Sequence, residues 1–449
     1  MVSRGVVSIG KGSGGAEFVA LELAEHLADK GEEVVLVADV HSGALEQVPE
    51  RLLIAPVGAY QPLGWLVSRV PMDFSRWVLQ HLLGNIRAAR RARLLLRQDA
   101  AGFDVVHVHG ALAAVLLGRT MRRRAGAALL VYTEHDSTPW SCRYRRRSER
   151  VVRRCIYRSV NLRACRAASL VVTNFAELAD ELATRTRLPR SRFVTVRNVT
   201  DQRPVGQRSS GRPPSGQHRP VSVRARHGFE RYCLYVGSLV DRKGPDILVR
   251  ALAEVSTPCI FVGEGPMRAA LERLASRAGV RDRVVFTGAL ERAEVSRYYS
   301  AAEALVLPSV SEGVPLVALE ALRAGVPVVA SNLTGIASVV RHGENGLLVD
   351  PGCHASLASA LALLESDEAL RVGLRLGAKR SGEVACTWSD VVNELCVQYI
   401  RQGKGDVVVP RQRVGDARLG AAHGTATAVP AVEPSRVLAA THQQEPTHG

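Results

Sequence analysis

Long hydrophobic runs are missing from this sequence, and no apolar stretch approaches the roughly 18 residues of a membrane span. Aromatic residues make up only 5% of the chain, which is too few for extensive base stacking, so no nucleic-acid partner is expected. The eight cysteines include no C-x-x-C pair, which argues against a zinc site or a disulfide framework and favours buried free thiols. The N-terminal residues show no signal-peptide cleavage pattern, and a cytoplasmic location is therefore expected.

Positive charge, in contrast, is abundant. The formal net charge is +16 at pH 7, with five arginines in 87–97 and ten in 143–166. Both segments otherwise have the pattern of helices. A basic amphipathic surface can be a solvated face, or it can contact an anionic membrane peripherally, at its inner face. The sequence leaves both interpretations open.

Short apolar runs alternate with helical segments in two parts of the chain. The runs are Val6–Ile9, Val34–Ala38, Val105–His109, Ala128–Tyr132, Leu170–Thr173 and Phe193–Val196, then Cys233–Val236, Cys259–Val262, Val284–Phe286, Ala304–Leu307 and Val326–Ala330. This alternation predicts parallel sheets covered on both faces. We therefore predict an α/β protein of two doubly wound, Rossmann-like domains, 1–201 and 229–386, that face each other across a cleft. A linker at 202–228 and a disordered tail at 403–449 complete the predicted order.

The most informative segment is S-E-G-V-P-L-V-A-L-E-A at 311–321, which predicts a turn and then a helix between two strands. The free amides of this helix, around Leu316 and Val317, would point out at the carboxyl end of a parallel strand, a geometry that binds phosphate. Glu312 and Glu320 would flank this phosphate cradle. Carboxylates accept hydrogen bonds from sugar and ribose hydroxyls, so the segment suits a ligand with both a diphosphate and hydroxyl groups.

Both ends of this predicted helix have residues that are typical of helix termini. Pro315 fits the first helical position, where its missing N–H costs nothing. Gly325 fits the C-terminal stop. We therefore expect the helix to start just after the turn that carries the first of the two carboxylates.

Other predicted strand ends also carry residues suited to ligand binding. Arg242 and Lys243 lie in the turn after the first strand of the second domain, where a lysine can meet a diphosphate as a mobile point charge. Gly263 and Glu264 form a glycine turn after the next strand. His135 directly follows a strand in the first domain, where it can orient a substrate hydroxyl or simply cap the strand. Ligands of open parallel sheets bind at these carboxyl ends.

Two further features have competing interpretations. Gly10–Gly15 satisfies G-x-G-x-x-G, and Asp39 follows at the end of the next predicted strand, so a nicotinamide-dependent enzyme is the main rival hypothesis. Glycines in such a turn can also serve only to let the backbone bend. His107 and His109 alternate in one strand and share a face, for which packing or local hydrogen bonding is the favoured interpretation.

Taken together, these residues resemble glycosyltransferase family 4, retaining nucleotide-sugar enzymes of the GT-B fold. The resemblance runs from about residue 5 to 400 and is most specific in Glu312-x7-Glu320, followed by A-G-V-P-V-V-A-S and G-E-N-G-L-L-V. Supporting motifs are G-S-G-G-A-E, T-E-H-D, L-Y-V-G-S-L and F-V-G-E-G-P. The resemblance implies that residues 387–402 form a helix that returns to the first domain.

The resemblance also implies a role for each site residue. The implied catalytic residues are His135 against the donor sugar, Glu312 on its hydroxyls and Lys243 on the leaving diphosphate. The implied donor-binding residues are Gly14, Gly15, Ser238, Arg242, Gly263, Glu264, Gly313, Leu316, Val317 and Glu320, the last of these on the ribose. The family implies no cofactor and no metal site: the nucleotide-diphosphate sugar, a UDP- or GDP-sugar, is a co-substrate.

Retention at the anomeric carbon and a hydroxyl acceptor follow from the same resemblance, and the sequence contains no D-x-D metal motif. Ser238 stands where the family often has arginine, which keeps open a catalytically silent sugar-nucleotide-binding protein. The stretch 58–100 is the expected acceptor side. A glycan, a glycolipid and a small secondary-metabolite polyol all remain compatible with it.

Overall fold

The computed structural model describes residues 15–38, 52–56, 86, 89–94, 96, 103–121, 128–142, 147–200, 226–384, 386–402 and 436–440. The first part of the chain contains α1 (Gly15–Asp29), β1 (Glu33–Ala38), β2 (Leu52–Pro56), β3 (Val105–Val108), α2 (Ala111–Met121), β4 (Leu129–Glu134), α3 (Arg147–Ser159), α4 (Asn161–Ala167), β5 (Leu170–Thr173), α5 (Ala176–Thr186) and β6 (Phe193–Thr195).

The second part contains β7 (Cys233–Val236), α6 (Pro245–Ala251), β8 (Cys259–Val262), α7 (Arg268–Arg277), β9 (Val284–Gly288), α8 (Arg292–Ala301), β10 (Ala304–Leu307), α9 (Leu316–Arg323), β11 (Val328–Ser331), α10 (Thr334–Ala337), β12 (Gly346–Val349), α11 (His354–Ser366), α12 (Glu368–Glu383), α13 (Trp388–Gln402) and β13 (Arg436–Ala440).

These strands form two parallel sheets. The first has the order β2-β1-β13-β3-β4-β5-β6 and the second β12-β11-β10-β7-β8-β9. Each sheet is buried on both faces. Alternate residues of a strand point to opposite sides of the sheet, so successive residues of one strand enter different apolar clusters. In β4, Leu130 and Tyr132 join one apolar cluster, whereas Leu129 and Val131 join another. The predicted α/β architecture of two Rossmann-like sheets is therefore confirmed.

The C-terminal part of the chain contributes to the first sheet. Strand β13 pairs in parallel with β1 on one side and with β3 on the other. The prediction of a disordered tail at 403–449 is therefore wrong for residues 436–440, because the short apolar run in R-V-L-A-A finds two sheet partners. The remainder of that tail beyond residue 402, the predicted strand Val6–Ile9 and most of the linker 202–228 lie outside the described residues.

Helix α13 lies against the first domain. Its residues Trp388, Val392, Leu395 and Tyr399 are buried in the same apolar cluster as helix α1. This helix is thus part of the first domain's core, although it follows the second domain in sequence. None of the described helices is both long enough and apolar enough to span a membrane.

Candidate functional site

The centre of the site is an ion pair between two loops of the second domain. Lys243 ends a short 3-10 turn after β7, and Glu312 lies in the loop between β10 and α9. Nζ of Lys243 donates to Oε2 of Glu312 at 2.5 Å, and Oγ of Ser309 donates to the same oxygen at 3.2 Å. The amide of Val310 donates to the carbonyl oxygen of Arg242 at 2.9 Å, so backbone as well as side chains join the two loops.

Each charge of this pair stabilises the ionised form of the other, which burial disfavours. Burial alone would raise the pKa of Glu312, but Lys243 and Arg242 outweigh it and hold that pKa below its usual value. Burial lowers the pKa of Lys243, and Glu312 only partly opposes this. Arg242 also lowers the pKa of Lys243 by like-charge repulsion. An anion placed beside these cations would stabilise their charged forms.

Helix α9 carries the remaining predicted donor-binding groups of this segment. It begins at Leu316, one residue later than the sequence suggested, because Pro315 has an extended backbone conformation and precedes the first turn. The amides of Leu316 and Val317 therefore lie in the first turn, where N–H groups have no partner within the helix. Glu320 lies one turn further along and accepts from the hydroxyl of Tyr299 at 3.0 Å.

Glycines allow the backbone to approach closely at three contacts between strand ends. A Cβ on Gly313 would lie 2.2 Å from the carbonyl oxygen of His135, and one on Gly335 would lie 2.3 Å from the carbonyl oxygen of Gly313. A Cβ on Gly263 would lie 2.1 Å from the carbonyl oxygen of Gly237. The loops after β4, β7, β8, β10 and β11 therefore meet in pairs at the carboxyl ends of the two sheets.

The other predicted donor-binding residues lie on the same edge or outside the described part. Glu264 forms an ion pair with Arg268 at 2.5 Å in the turn after β8. Ser238 is exposed, after β7. Gly15 is the first residue of α1, while Gly14 lies outside the described residues. The structure thus brings His135, Lys243, Glu312 and Gly313 together, and it offers no test of the glycine-loop prediction at Gly14.

His135 is in contact with a second histidine that the sequence analysis did not connect to the site. Nδ1 of His109 and Nε2 of His135 are 2.8 Å apart, and their ring centroids are 5.0 Å apart. His107 also stacks on His109, with a centroid distance of 4.5 Å. The shared face of His107 and His109 was predictable from their alternation. Their contact with His135 depends on β3 and β4 being neighbours in the sheet.

All three histidines are neutral near pH 7. Burial lowers the pKa of His107 to about 3 and that of His135 to about 4. Burial and the two neighbouring histidines also hold the pKa of His109 well below its usual value. These rings can therefore donate or accept hydrogen bonds at neutral pH without carrying a positive charge.

Glu134 is a second residue to which the sequence assigned no role of its own. This buried carboxyl accepts, at its Oε2, from the hydroxyl of Tyr132 at 2.8 Å, from the hydroxyl of Tyr157 at 3.0 Å and from Nδ2 of Asn161 at 2.9 Å. Burial raises its pKa to about 7, despite the hydrogen bonds that favour the ionised form. Glu134 therefore links strand β4, which leads to His135, with helices α3 and α4.

Three hydrogen bonds join the two domains beside the ion pair. Oγ of Ser137 donates to the carbonyl oxygen of Glu312, and Nδ2 of Asn198 donates to the carbonyl oxygen of Val314 at 3.0 Å. Oγ of Ser311 donates to Sγ of Cys142 at 3.1 Å. The candidate site is therefore closed around residues 312–314.

All eight cysteines are free thiols, and four of them are buried.

Within the described ranges, no group of three or more His, Cys, Asp or Glu side chains is arranged to hold a metal ion. The site instead offers cationic side chains, helix amides and hydroxyl-binding carboxylates at one edge of two facing parallel sheets. Such a set can hold an anion next to a polyhydroxyl group without a metal ligand among these residues.

Solved structures with the same architecture define the fold. The sucrose-phosphate synthase of Thermosynechococcus elongatus aligns with a TM-score of 0.68 at 23% identity, covering 89% of this chain and 98% of its own. Anabaena HepE, solved in complex with UDP, aligns with a TM-score of 0.61 at 20% identity, covering 88% of this chain and 99% of its own. The fold is that of the GT-B glycosyltransferases.

Sequence comparisons give the family. The model described as Glycosyltransferase Family 4 matches residues 13–203, and Glycosyl transferases group 1 matches residues 223–380. The D-inositol 3-phosphate glycosyltransferase of Acidothermus cellulolyticus is 30% identical over 389 residues, which are 82% of this chain and 81% of the relative. The chain therefore belongs to the group 1, family 4 glycosyltransferases.

Other relatives match less of the chain. The alpha-D-kanosaminyltransferase of Streptomyces kanamyceticus is 28% identical over 64% of this chain and 74% of its own length. An uncharacterized glycosyltransferase of Methanocaldococcus jannaschii is 34% identical over 38% of this chain, and the match spans 45% of that relative. These matches favour the glycosyltransferase hypothesis over the nicotinamide-dependent enzyme suggested by Gly10–Gly15.

Proposed function

We propose that this glycosyltransferase moves a sugar from a nucleotide-diphosphate donor, a UDP- or GDP-sugar, to a hydroxyl acceptor with retention at the anomeric carbon. The observation that carries the proposal is the Lys243–Glu312 pair beside the first turn of α9. It places a cation and helix amides, which suit a diphosphate, next to a carboxylate that suits sugar hydroxyls. The complexes of Anabaena HepE with UDP and with UDP-glucose support a nucleotide-sugar donor.

In this proposal each residue acts on a different part of the donor. Lys243 and the amides of Leu316 and Val317 bind the diphosphate, Glu312 binds sugar hydroxyls, and Glu320 binds the ribose. Arg242 adds positive charge, and His135 contacts the sugar. Gly14, Gly15, Ser238, Gly263, Glu264 and Gly313 line the approach of the donor. Lys243 exchanges part of its contact with Glu312 for the diphosphate, so the cation is neutralised both before and after the donor binds.

The proposed reaction needs no protein nucleophile. The acceptor oxygen bonds to the anomeric carbon while the bond from that carbon to the diphosphate breaks, and the leaving phosphate oxygen takes the acceptor proton. The cation and the helix amides stabilise the negative charge that develops on the diphosphate, and binding holds the reactants in place. The NMR anomeric configuration of the product tests this, because an inverted product would rule out the retaining mechanism.

Donor binding is tested by thermal shift with UDP-, GDP- and ADP-sugars beside NAD and NADP. We expect one nucleotide sugar to stabilise the wild type, and to stabilise Glu320→Ala much less. A shift with NAD alone that does not depend on Glu320 would overturn the proposal. Binding without donor hydrolysis or transfer would instead support a catalytically silent sugar-nucleotide-binding protein.

We also propose that helix α3 contacts an anionic membrane, which suits a lipid-linked acceptor. Val151 and Val152 are 54% and 42% exposed on this helix, and they lie among arginines. Tyr157 on the same helix is buried, so one face is fixed to the domain while the apolar and basic groups remain outside. Apolar burial and attraction to anionic lipid act together on such a helix.

The membrane proposal is tested by sedimentation with phosphatidylglycerol and phosphatidylcholine vesicles. The wild type should bind the anionic vesicles, and salt should weaken this binding because it screens the charges. Val151→Ser with Val152→Ser should weaken it further. Val372→Ser, at a 52% exposed valine of the second domain, is the matched control. Equal binding by all variants would contradict the assignment to α3.

A further inference from the structure

One hydrogen bond joins His109 and His135. Its direction decides which nitrogen of each ring carries the proton. Nδ1 of His109 and Nε2 of His135 lie 2.8 Å apart. Both rings are neutral near pH 7, so each carries one N–H and one lone pair. If His109 donates, His135 must carry its own proton on Nδ1. If His109 accepts, His135 carries its proton on Nε2.

The surroundings of His109 decide between these two arrangements. His109 is 7% exposed, and its Nε2 is buried without a hydrogen-bond partner among the residues that the structure describes. Buried N–H groups without a partner are rarer in folded proteins than buried acceptors without one. The proton of His109 therefore belongs on Nδ1, where it is donated to His135.

Neighbouring rings hold His109 in this orientation. The His109 ring packs against the rings of both His107 and His135, with centroids 4.5 Å and 5.0 Å away and an interplanar angle of 19° in both cases. His107 is itself fixed at both nitrogens, by the hydroxyl of Tyr399 at 2.7 Å and by Oγ1 of Thr133 at 2.6 Å. A ring flip of His109, which would exchange its nitrogens, must therefore disturb a packed stack.

We propose that His109 is a positioning residue that holds His135 as the tautomer protonated at Nδ1, so that His135 presents an N–H donor to oxygens of the bound donor. This inference rests on the proposed function, in which His135 contacts the sugar. His135 is only partly buried and its Nε2 is occupied by His109, so Nδ1 is the ring nitrogen that remains for a ligand. An N–H at this point can donate to a sugar oxygen and so hold the sugar in position for transfer.

The tautomer is measured directly by NMR on protein labelled with 15N-histidine, with the His135 signals assigned from a His135→Gln variant. We expect Nδ1 of His135 to have the shift of a protonated nitrogen, and Nε2 that of a nitrogen with a lone pair. In His109→Leu the two forms should mix. A wild-type His135 protonated on Nε2 would overturn the proposal, whether or not the enzyme is active.

Kinetics supply the second readout, with hydrolysis of UDP-glucose and of GDP-mannose as probes that need no acceptor. His109→Leu should lower kcat by about tenfold to a hundredfold, the loss found when the partner that orients a metal-bound histidine is removed, with little change in KM. His109→Asn, whose amide can still donate, should recover part of this loss. His354→Asn, at an exposed histidine, is the control.

The outcomes separate the two proposals. A fall in activity with an unchanged His135 tautomer, or a change in KM alone, would overturn the positioning role. Failure of the wild type to bind or hydrolyse any nucleotide sugar would overturn the proposed function, while the NMR result would still decide the proton position. Circular dichroism of each variant ensures that the comparison is made on folded protein.

Discussion

At the scale of single residues, Glu134 is a buried carboxyl whose hydrogen bonds do not fully offset the effect of burial on its pKa. Three donors converge on one of its oxygens, yet burial still raises its pKa to about 7. In the unfolded chain the same carboxyl releases its proton near its ordinary pKa of 4.5. Between these values the folded state binds more protons than the unfolded state, so this residue's contribution to stability is present below pH 4.5 and is lost as the pH rises through about 7.

We predict that Glu134→Gln changes the pH dependence of stability. Glutamine keeps an oxygen that can accept from Tyr132, Tyr157 and Asn161, but it does not titrate. The difference in Tm between variant and wild type should therefore become more positive from pH 5 to pH 8, measured by differential scanning fluorimetry. Glu177→Gln, at an exposed glutamate, is the control and should show no such trend. A flat difference for Glu134→Gln would contradict the raised pKa.

At the scale of elements, two of the glycines of helix α12 have opposite environments. A Cβ at Gly373 would meet nothing within 4 Å, whereas a Cβ at Gly377 would lie 1.8 Å from the carbonyl oxygen of Glu344. Close packing therefore requires glycine at position 377, whereas no packing contact explains glycine at position 373. Glycine in a helix interior costs up to about 1 kcal/mol relative to alanine.

We predict opposite effects of the same substitution at these two positions. Gly373→Ala should raise the free energy of unfolding by up to about 1 kcal/mol, because it gains helix propensity at no steric cost. Gly377→Ala should lower it, because backbone must move to admit the methyl group. Urea unfolding of both variants measures the difference. Destabilisation by Gly373→Ala would show that something other than helix propensity governs this position.

At the scale of the whole molecule, the two domains meet where Gly313 faces the carbonyl oxygen of His135. The added Cβ would lie 2.2 Å from that oxygen, too close for any side chain. The hydrogen bonds from Ser137 and Asn198 cross the same contact. Closure of the site thus depends on a backbone approach that only glycine permits.

We predict that Gly313→Ala separates the domains without unfolding either one. The radius of gyration from small-angle X-ray scattering should increase, and hydrolysis of the nucleotide sugar should fall, because His135 moves away from the Lys243–Glu312 pair. Gly373→Ala, where the added Cβ meets nothing within 4 Å, is the matched control for both measurements. A Gly313→Ala protein as compact and active as the wild type would contradict this account.

The sequence by itself determined the strand-helix alternation and the location of Glu312, Lys243 and His135 at strand ends. It could do so because short apolar runs that alternate with helical segments are typical of a buried parallel sheet, and because the carboxyl ends of the strands of such a sheet share one edge. Element bounds shifted by a residue or two, as at Leu316, because hydrogen bonding at helix ends depends on local geometry rather than composition.

Only the tertiary structure decided which distant residues touch. The His109–His135 bond needs β3 beside β4, the Ser137–Glu312 contact needs two facing domains, and β13 enters the first sheet from a segment whose composition predicts disorder. Local pattern carries no information on such pairings. They are selected when the whole chain buries its apolar faces and satisfies its backbone hydrogen bonds together.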